Sequence, residues 1–282
     1  MKKDTNKVID WSVMATVWAC YETMGVSPDT LPAIQNQLKS PILIIGGGGG
    51  INLKYLRDQG FEVEAIDDNP NMIDYAKRVR GLEITQSSGT ALPFEDQRFN
   101  SVIFATGVYN RVSLYEPFAL GLMDEAVRVS KPDATIVAGF FLSDPKLEYI
   151  FRILNLTGDV SNNPLFMNAG DLSTIKRRFH EETEIPSAAI DHVFNTQTPM
   201  LTAHAELMRE IEKVLREQSI DAENFASANL GFHYNDLEQA DEEYLLAEFS
   251  KRFTVTNDPV LQLGDVRILM ARQSQNSAKG SD

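Results

Sequence analysis

Residues 42–50 read Ile42-Leu43-Ile44-Ile45-Gly46-Gly47-Gly48-Gly49-Gly50, and Ile51-Asn52-Leu53 follow directly. The continuous apolar run over 42–45 predicts a short strand buried on both faces. The five glycines predict a turn where backbone can approach a ligand closely, and the helical pattern over 51–59 starts with unpaired N–H groups. Strand, glycine turn and helix start together make a nucleotide or anion site. A P-loop needs Lys and Ser or Thr straight after its last glycine, and Ile51 and Asn52 stand there instead. A dinucleotide fingerprint needs glycines at i, i+2 and i+5. From Gly46 the last of these falls on Ile51, and ending on Gly50 would require a glycine at position 45. The pattern that survives is i, i+2, i+4: Gly46, Gly48 and Gly50.

Working outward, residues 61–66 read as a second strand and 71–80 as a helix stopped by Gly81. Asp67 ends the second strand, 21 residues after Gly46. In an open α/β sheet an acid there can accept both ribose hydroxyls. The competing structural role is helix capping from Asp67-Asp68-Asn69-Pro70. Further strands are expected at 82–85, 102–105 and 135–141, with a helix at 120–129 ending before Lys131-Pro132. This alternation predicts a doubly wound, Rossmann-like α/β fold with a parallel sheet. Past residue 143 the alternation gives way to helical patterns at 145–156, 172–180, 202–218 and 237–249, before two closing strands at 253–256 and 266–272. The expected organisation is an N-terminal helical lid at 1–40, a core at 41–142 and 251–272, a helical cap inserted at 143–250, and a disordered tail at 273–282.

The whole chain has 282 residues, 43% hydrophobic and 23% charged, which suits a globular protein with a sizeable core. Its 40 acidic and 26 basic side chains give a formal charge of -14. That balance disfavours nucleic acid and anionic membrane surfaces as partners and leaves small molecules, proteins and cationic substrates in play. The single cysteine, Cys20, forms no internal disulfide, as suits a cytoplasmic protein. Lys2, Lys3 and Lys7 ahead of an apolar run resemble a signal peptide, but Asp4 and Asp10 interrupt it. Ile9, Val13, Val17, Cys20, Tyr21 and Met24 instead mark one face of an amphipathic helix. No membrane span and no metal-like spacing of His and Cys is expected, and the oligomeric state is expected to be monomer or homodimer.

With these motifs in place the sequence resembles the class I S-adenosylmethionine-dependent methyltransferases. Residues 42–50 are similar to their first motif. Gln59-Gly60-Phe61-Glu62-Val63 leading to Asp67 and then Met72 is similar to their second strand and adenine-side helix. Leu92-Pro93-Phe94-Glu95-Asp96 with Phe99-Asn100-Ser101-Val102 resembles the entry to their fourth strand. Glu125-Ala126-Val127-Arg128-Val129-Ser130-Lys131-Pro132 resembles the helix and turn before the fifth. The resemblance implies a seven-stranded sheet with its last strand antiparallel. It implies S-adenosyl-L-methionine as cofactor, held by Gly46, Gly48, Gly50, Asp67, Asp68, Met72, Ser88, Gly89 and Thr106. The chain departs from the family at four places. Ile44 stands where an acid usually helps hold the cofactor's ammonium group, and Ser88 where an acid usually meets the adenine amino group. Asn100 replaces an Asp, and Asp133-Ala134 replace paired glycines.

Candidate catalytic residues are Tyr109, just after the fourth strand, His233 in the insertion, and Tyr21 on the N-terminal helix. With Trp11 and Trp18, Tyr21 could also hold a sulfonium by cation–π attraction or simply pack on the sheet. The leading expectation is methyl transfer to a small-molecule acceptor under a helical cap. The alternative is a non-methylating reaction of the same cofactor. There the α-amine closes an azetidine ring, or the aminocarboxypropyl group moves to another acceptor, releasing methylthioadenosine. The loss of the acid at Ile44 favours a neutral, nucleophilic amine. A third reading is a non-catalytic cofactor-binding or interaction protein.

Overall fold

The computed structural model describes residues 31–106, 108–111, 114–141, 173, 176–177, 180–181, 187–196, 239–263 and 266–273. The chain divides into two compact units. One comprises Met1–Val26 and Asp144–Asn235, the other Ser27–Ser143 and Asp236–Asp282.

The second unit is built on a seven-stranded sheet. Its strands are β1 (Ile42–Ile45), β2 (Val63–Asp67), β3 (Thr85–Gln86), β4 (Phe99–Phe104), β5 (Ser130–Phe141), β6 (Phe253–Leu263) and β7 (Val266–Gln273). They lie in the order β3-β2-β1-β4-β5-β7-β6. The first five are parallel, and β7 pairs antiparallel with both β5 and β6. This is the Rossmann-like α/β sheet that the alternation predicts, with the antiparallel last strand that the resemblance implies. Its described helices are α1 (Leu31–Ile34), α2 (Ile51–Asp58), α3 (Pro70–Arg80), α4 (Val108–Arg111) and α5 (Pro117–Val129). In the other unit α6 spans Ser187–Thr196, and α7 (Gln239–Arg252) returns to the sheet unit.

The two-residue period of a strand sorts the core into two layers. Leu43 and Ile45 of β1 join Val102, Phe104, Ile136, Ala138 and Leu269 on one face, under Leu122, Met123 and Ala126 of α5 and Leu245 and Phe249 of α7. Ile42 and Ile44 join Ile103, Val137, Ile268 and Met270 on the other, under Leu31, Ile34, Leu53 and Leu56. Every residue of β1 is buried, as its unbroken apolar run requires.

Several element boundaries differ from the sequence expectation for identifiable reasons. Leu82 and Ile84 are buried in the second layer, but only Thr85 and Gln86 pair with β2, so the third strand is shorter and later than 82–85. β5 begins at Ser130, ahead of Lys131-Pro132, because the β4–β5 register shifts between Phe99 and Ser101 and absorbs the proline in an irregularity. Asp133 there has φ 65°, a conformation glycine adopts without strain. The helix expected at 237–249 runs 239–252, and Leu245 and Phe249 pack into the sheet's core. In the other unit, Ile190 and Phe194 of α6 are buried, and Asp191 accepts from Lys176 Nζ at 2.7 Å.

Candidate functional site

The tips of β1, β2 and β4 and the loops leaving them gather most of the sequence-predicted cofactor residues. Gly46, Gly48 and Gly50 have φ of 80°, 51° and 87°, so the i, i+2, i+4 glycines are those in left-handed backbone. Gly47 and Gly49 serve a different need, which is space. A Cβ at Gly47 would sit 3.0 Å from Ala65 Cβ, and one at Gly49 would sit 3.0 Å from Tyr75 Cδ1. The amides of Gly46 and Gly47 donate to Ile66 O at 3.0 and 2.7 Å, which pins the loop to the end of β2.

Asp67 is buried at that end. Its Oδ2 accepts from Gly48 N at 2.7 Å and its Oδ1 from Asn69 N at 2.9 Å. The helix cap belongs to Asn69, whose Oδ1 accepts from Asn71 N and Met72 N, with Pro70 opening the helix. The capping role weighed for Asp67 is therefore taken by its neighbour, and Asp67 instead ties β2 to the glycine loop.

The other expected residues take distinct places. Asp68 is exposed. Met72 is buried behind the loop, its Cε 3.7 Å from where a Gly48 Cβ would lie. Ser88 is exposed, with its Oγ 3.2 Å from Thr90 Oγ1. Gly89, at φ 77°, seats its loop against Leu122, Ile45 and Ile66, and a Cβ there would be 2.6 Å from Leu122 Cδ2. Thr106 Oγ1 lies 2.5 Å from where a Cβ of Gly139 would be, so that glycine makes room for it. Ile44 is wholly buried in the apolar layer under α2, among Ile42, Leu53 and Ile103. Asn100 uses its amide as a donor to Ser40 O at 2.5 Å, a bond that an Asp carboxylate could not donate.

Tyr109 lies in α4 with its ring in the core, 5.1 Å from Phe104 and 5.9 Å from Phe249. Its hydroxyl is enclosed and has no hydrogen-bond partner among the described residues. Burial pushes the phenol well above its ordinary pKa, and the charge of Arg252 only partly opposes this. Tyr21, His233, Trp11 and Trp18 lie outside the described residues.

Three contributors escape sequence reading. Arg80, in the last turn of α3, donates to Gly49 O and lies over the Tyr75 ring at 5.2 Å. Partial burial pulls its pKa down to about 10. Glu125 and Arg128 of α5 hold the segment after β3. Glu125 Oε2 accepts from Leu92 N at 2.7 Å, and Arg128 donates to Leu92 O, Phe94 O and Asp96 Oδ1 at 3.0, 2.7 and 2.8 Å. The hydrogen bond from Arg128 holds the Glu125 carboxyl below its ordinary range. The i,i+3 spacing signals that these two pair, but nothing local signals what they grip. Among the described residues no three His, Cys, Asp or Glu are placed to hold a metal ion, and no helix is long and apolar enough to cross a membrane.

Residues 43–138 match the family model described as a methyltransferase domain. A demethylmenaquinone methyltransferase of Renibacterium salmoninarum is 30% identical over 133 residues, covering 44% of this chain and 54% of its own. The chain thus spans about half the length of the curated relative it matches. A structure described as the conversion of a disulfide bond into a thioacetal group during echinomycin biosynthesis aligns over 93% of this chain and 94% of its own. It has 14% identity and a TM-score of 0.50. A protein of Pyrococcus horikoshii aligns over 90% and 91%, with 17% identity and a TM-score of 0.48.

Proposed function

We propose, from the premise that this chain belongs to the class I S-adenosylmethionine-dependent methyltransferase superfamily, that it methylates a small-molecule acceptor. S-adenosyl-L-methionine is the cofactor of that superfamily, and it would supply an electrophilic methyl group on a sulfonium. The observation that carries the reading is the bond between Gly48 N and Asp67 Oδ2 at 2.7 Å. It joins the two motifs that sequence placed 19 residues apart, with a buried carboxylate at the end of β2. In this reading Asp67 takes the ribose hydroxyls, Gly46, Gly48 and Gly50 give the backbone close approach, and Ser88 and Gly89 border the adenine. Met72 supports the loop from behind. Thr106 stands at the β4 tip. Catalysis then rests mainly on holding donor and acceptor in line and keeping water out.

The small-molecule acceptor is supported by the charge of -14, which disfavours a polyanionic substrate. The Renibacterium relative, named a demethylmenaquinone methyltransferase, is in keeping with this reading. The N-terminal segment and the insertion, less residues 31–40 and 239–250, which pack with the sheet, are proposed as the elements that shape acceptor choice. Tyr109 belongs to the wall of the core, since a phenol pushed upward by burial makes a poor base at neutral pH. His233 and Tyr21 are the proposed candidates for a base and a sulfonium contact.

Titration calorimetry with S-adenosylmethionine and adenosylhomocysteine tests the site. Wild-type protein binds both, and Asp67→Ala weakens both at least tenfold, on the order of one lost charge-assisted hydrogen bond or more. Unchanged affinity in Asp67→Ala removes the ribose assignment. Product analysis with a panel of small phenols, quinols and amines then separates the chemistries. Adenosylhomocysteine that appears only with an acceptor supports methyl transfer, whereas methylthioadenosine without one replaces it by cyclisation or lyase chemistry.

A further inference from the structure

Arg80 lies outside every motif that led to the cofactor site, yet it touches the centre of the glycine loop. Its guanidinium donates to Gly49 O and lies 5.2 Å over the ring of Tyr75. Tyr75 is 3% exposed, and its Cδ1 would be only 3.0 Å from a Cβ at Gly49, so the ring backs the loop directly. The Arg80 stem continues the same wall, with Cδ 3.8 Å from where a Gly50 Cβ would be. Thus two residues of α3, one turn and a half apart, close the rear of a loop whose front is tied to β2 through Asp67 and Gly48. A glycine-only loop has the largest conformational freedom of any sequence, so an external hold on its carbonyl does more here than it would on a stiffer turn. A charged donor gives one of the stronger single hydrogen bonds available for that purpose.

We propose that Arg80 is a positioning residue for the amino-acid end of the cofactor. It acts through Gly49 by keeping the loop in its binding conformation, with Tyr75 as the platform that orients the guanidinium. The proposal rests on the cofactor reading given above. It differs from a purely structural role in what it predicts for ligands that lack the amino-acid end. In the cofactor reading the ribose falls to Asp67 and the adenine to the segment after β3, whereas Arg80 bonds to the loop itself at Gly49 O. In that reading the rest of the cofactor falls to the loop's remaining length.

The test compares two ligands on folded protein, with thermal unfolding run in parallel. Adenosylhomocysteine carries the amino-acid end, and methylthioadenosine does not. Arg80→Met is expected to weaken adenosylhomocysteine about tenfold and methylthioadenosine by less than about twofold, the scale of one charge-assisted hydrogen bond acting on one half of the ligand. Arg80→Lys keeps the charge and a donor but not the planar stack, so it should recover part of the loss. Equal weakening of both ligands, or no weakening of either, overturns the proposal, even if the melting temperature falls. If Arg80→Met does not fold, the same asymmetry is read at smaller size on Arg80→Lys, and its absence there overturns the proposal as well. Wild-type protein that binds neither ligand overturns the cofactor reading itself and this inference with it, a result distinct from a wild type that binds both.

Discussion

The glycine loop after β1 and the segment 87–98 after β3 border the proposed cofactor site, and they are held by opposite means. In the loop, shape comes from side chains that are missing. Three residues sit in left-handed backbone, and the others have neighbours at 3.0 Å from any Cβ they might carry. In the second segment, shape comes from two side chains of another element, Glu125 and Arg128, which bond to Leu92, Phe94 and Asp96. A loop defined by absence is spoiled by adding atoms, and a loop defined by a clamp is spoiled by removing them.

The largest effect should therefore come from an addition. Gly46→Ala places a Cβ 2.5 Å from Val108 Cγ2 in a backbone at φ 80°. Combined overpacking and backbone strain should cost about 3 kcal/mol in urea denaturation. Adding Val108→Ala should return only the steric share, and full recovery would show that the left-handed backbone matters little. A removal comes next. Arg128→Met should lower stability by about 2 kcal/mol, because it leaves two carbonyls and Glu125 without their charged donor.

The pH dependence sharpens the same contrast. Glu125 is held below its ordinary pKa in the folded protein, chiefly by Arg128. A carboxyl depressed on folding adds stability that is complete above its unfolded value and is lost as pH falls through the folded one. Acid titration of the wild type should thus show an increment that disappears below the ordinary glutamate range, and Glu125→Gln should flatten that part of the curve.

The smallest change is expected at Tyr109. Its hydroxyl is enclosed without a partner among the described residues, so Tyr109→Phe should leave stability unchanged or raise it by up to about 1 kcal/mol, with turnover kept. Loss of turnover in a folded variant would return Tyr109 to the chemistry.

Most of the sheet was legible because its signals are local. The apolar run 42–45, the glycines and the acid at the end of β2 lie within one βαβ unit, and their spacing alone excluded two other nucleotide motifs. The alternate glycines of the surviving pattern proved to be the ones in left-handed backbone. What escaped reading depends on distant partners. Arg128 grips residues 32 to 36 positions away, and Arg80 reaches back 31 positions to Gly49. Tyr109 was tied to the site by its place after β4, but its ring turns toward Phe249, which sequence counted with the helical insertion. Asn100 and Asp133, read as departures from a family pattern, have local uses as an amide donor and as a left-handed residue in an irregular strand entry.

The position of β7 has a consequence for how the chain is made. β5 is covered on its outer side only by β7, and β6 touches the sheet only through β7. A ribosome that has delivered the chain through Phe141, and with it every residue of the proposed cofactor cradle, has built a sheet with a bare edge along 135–141. That edge stays open while the long insertion and then β6 emerge, and it is closed only when 266–273 leave the exit tunnel. During that interval the nascent chain presents unpaired strand edge beside apolar surface, the combination that invites pairing with the wrong partner. Chaperone demand should accordingly peak late in translation, after the binding residues are complete and before the fold can close.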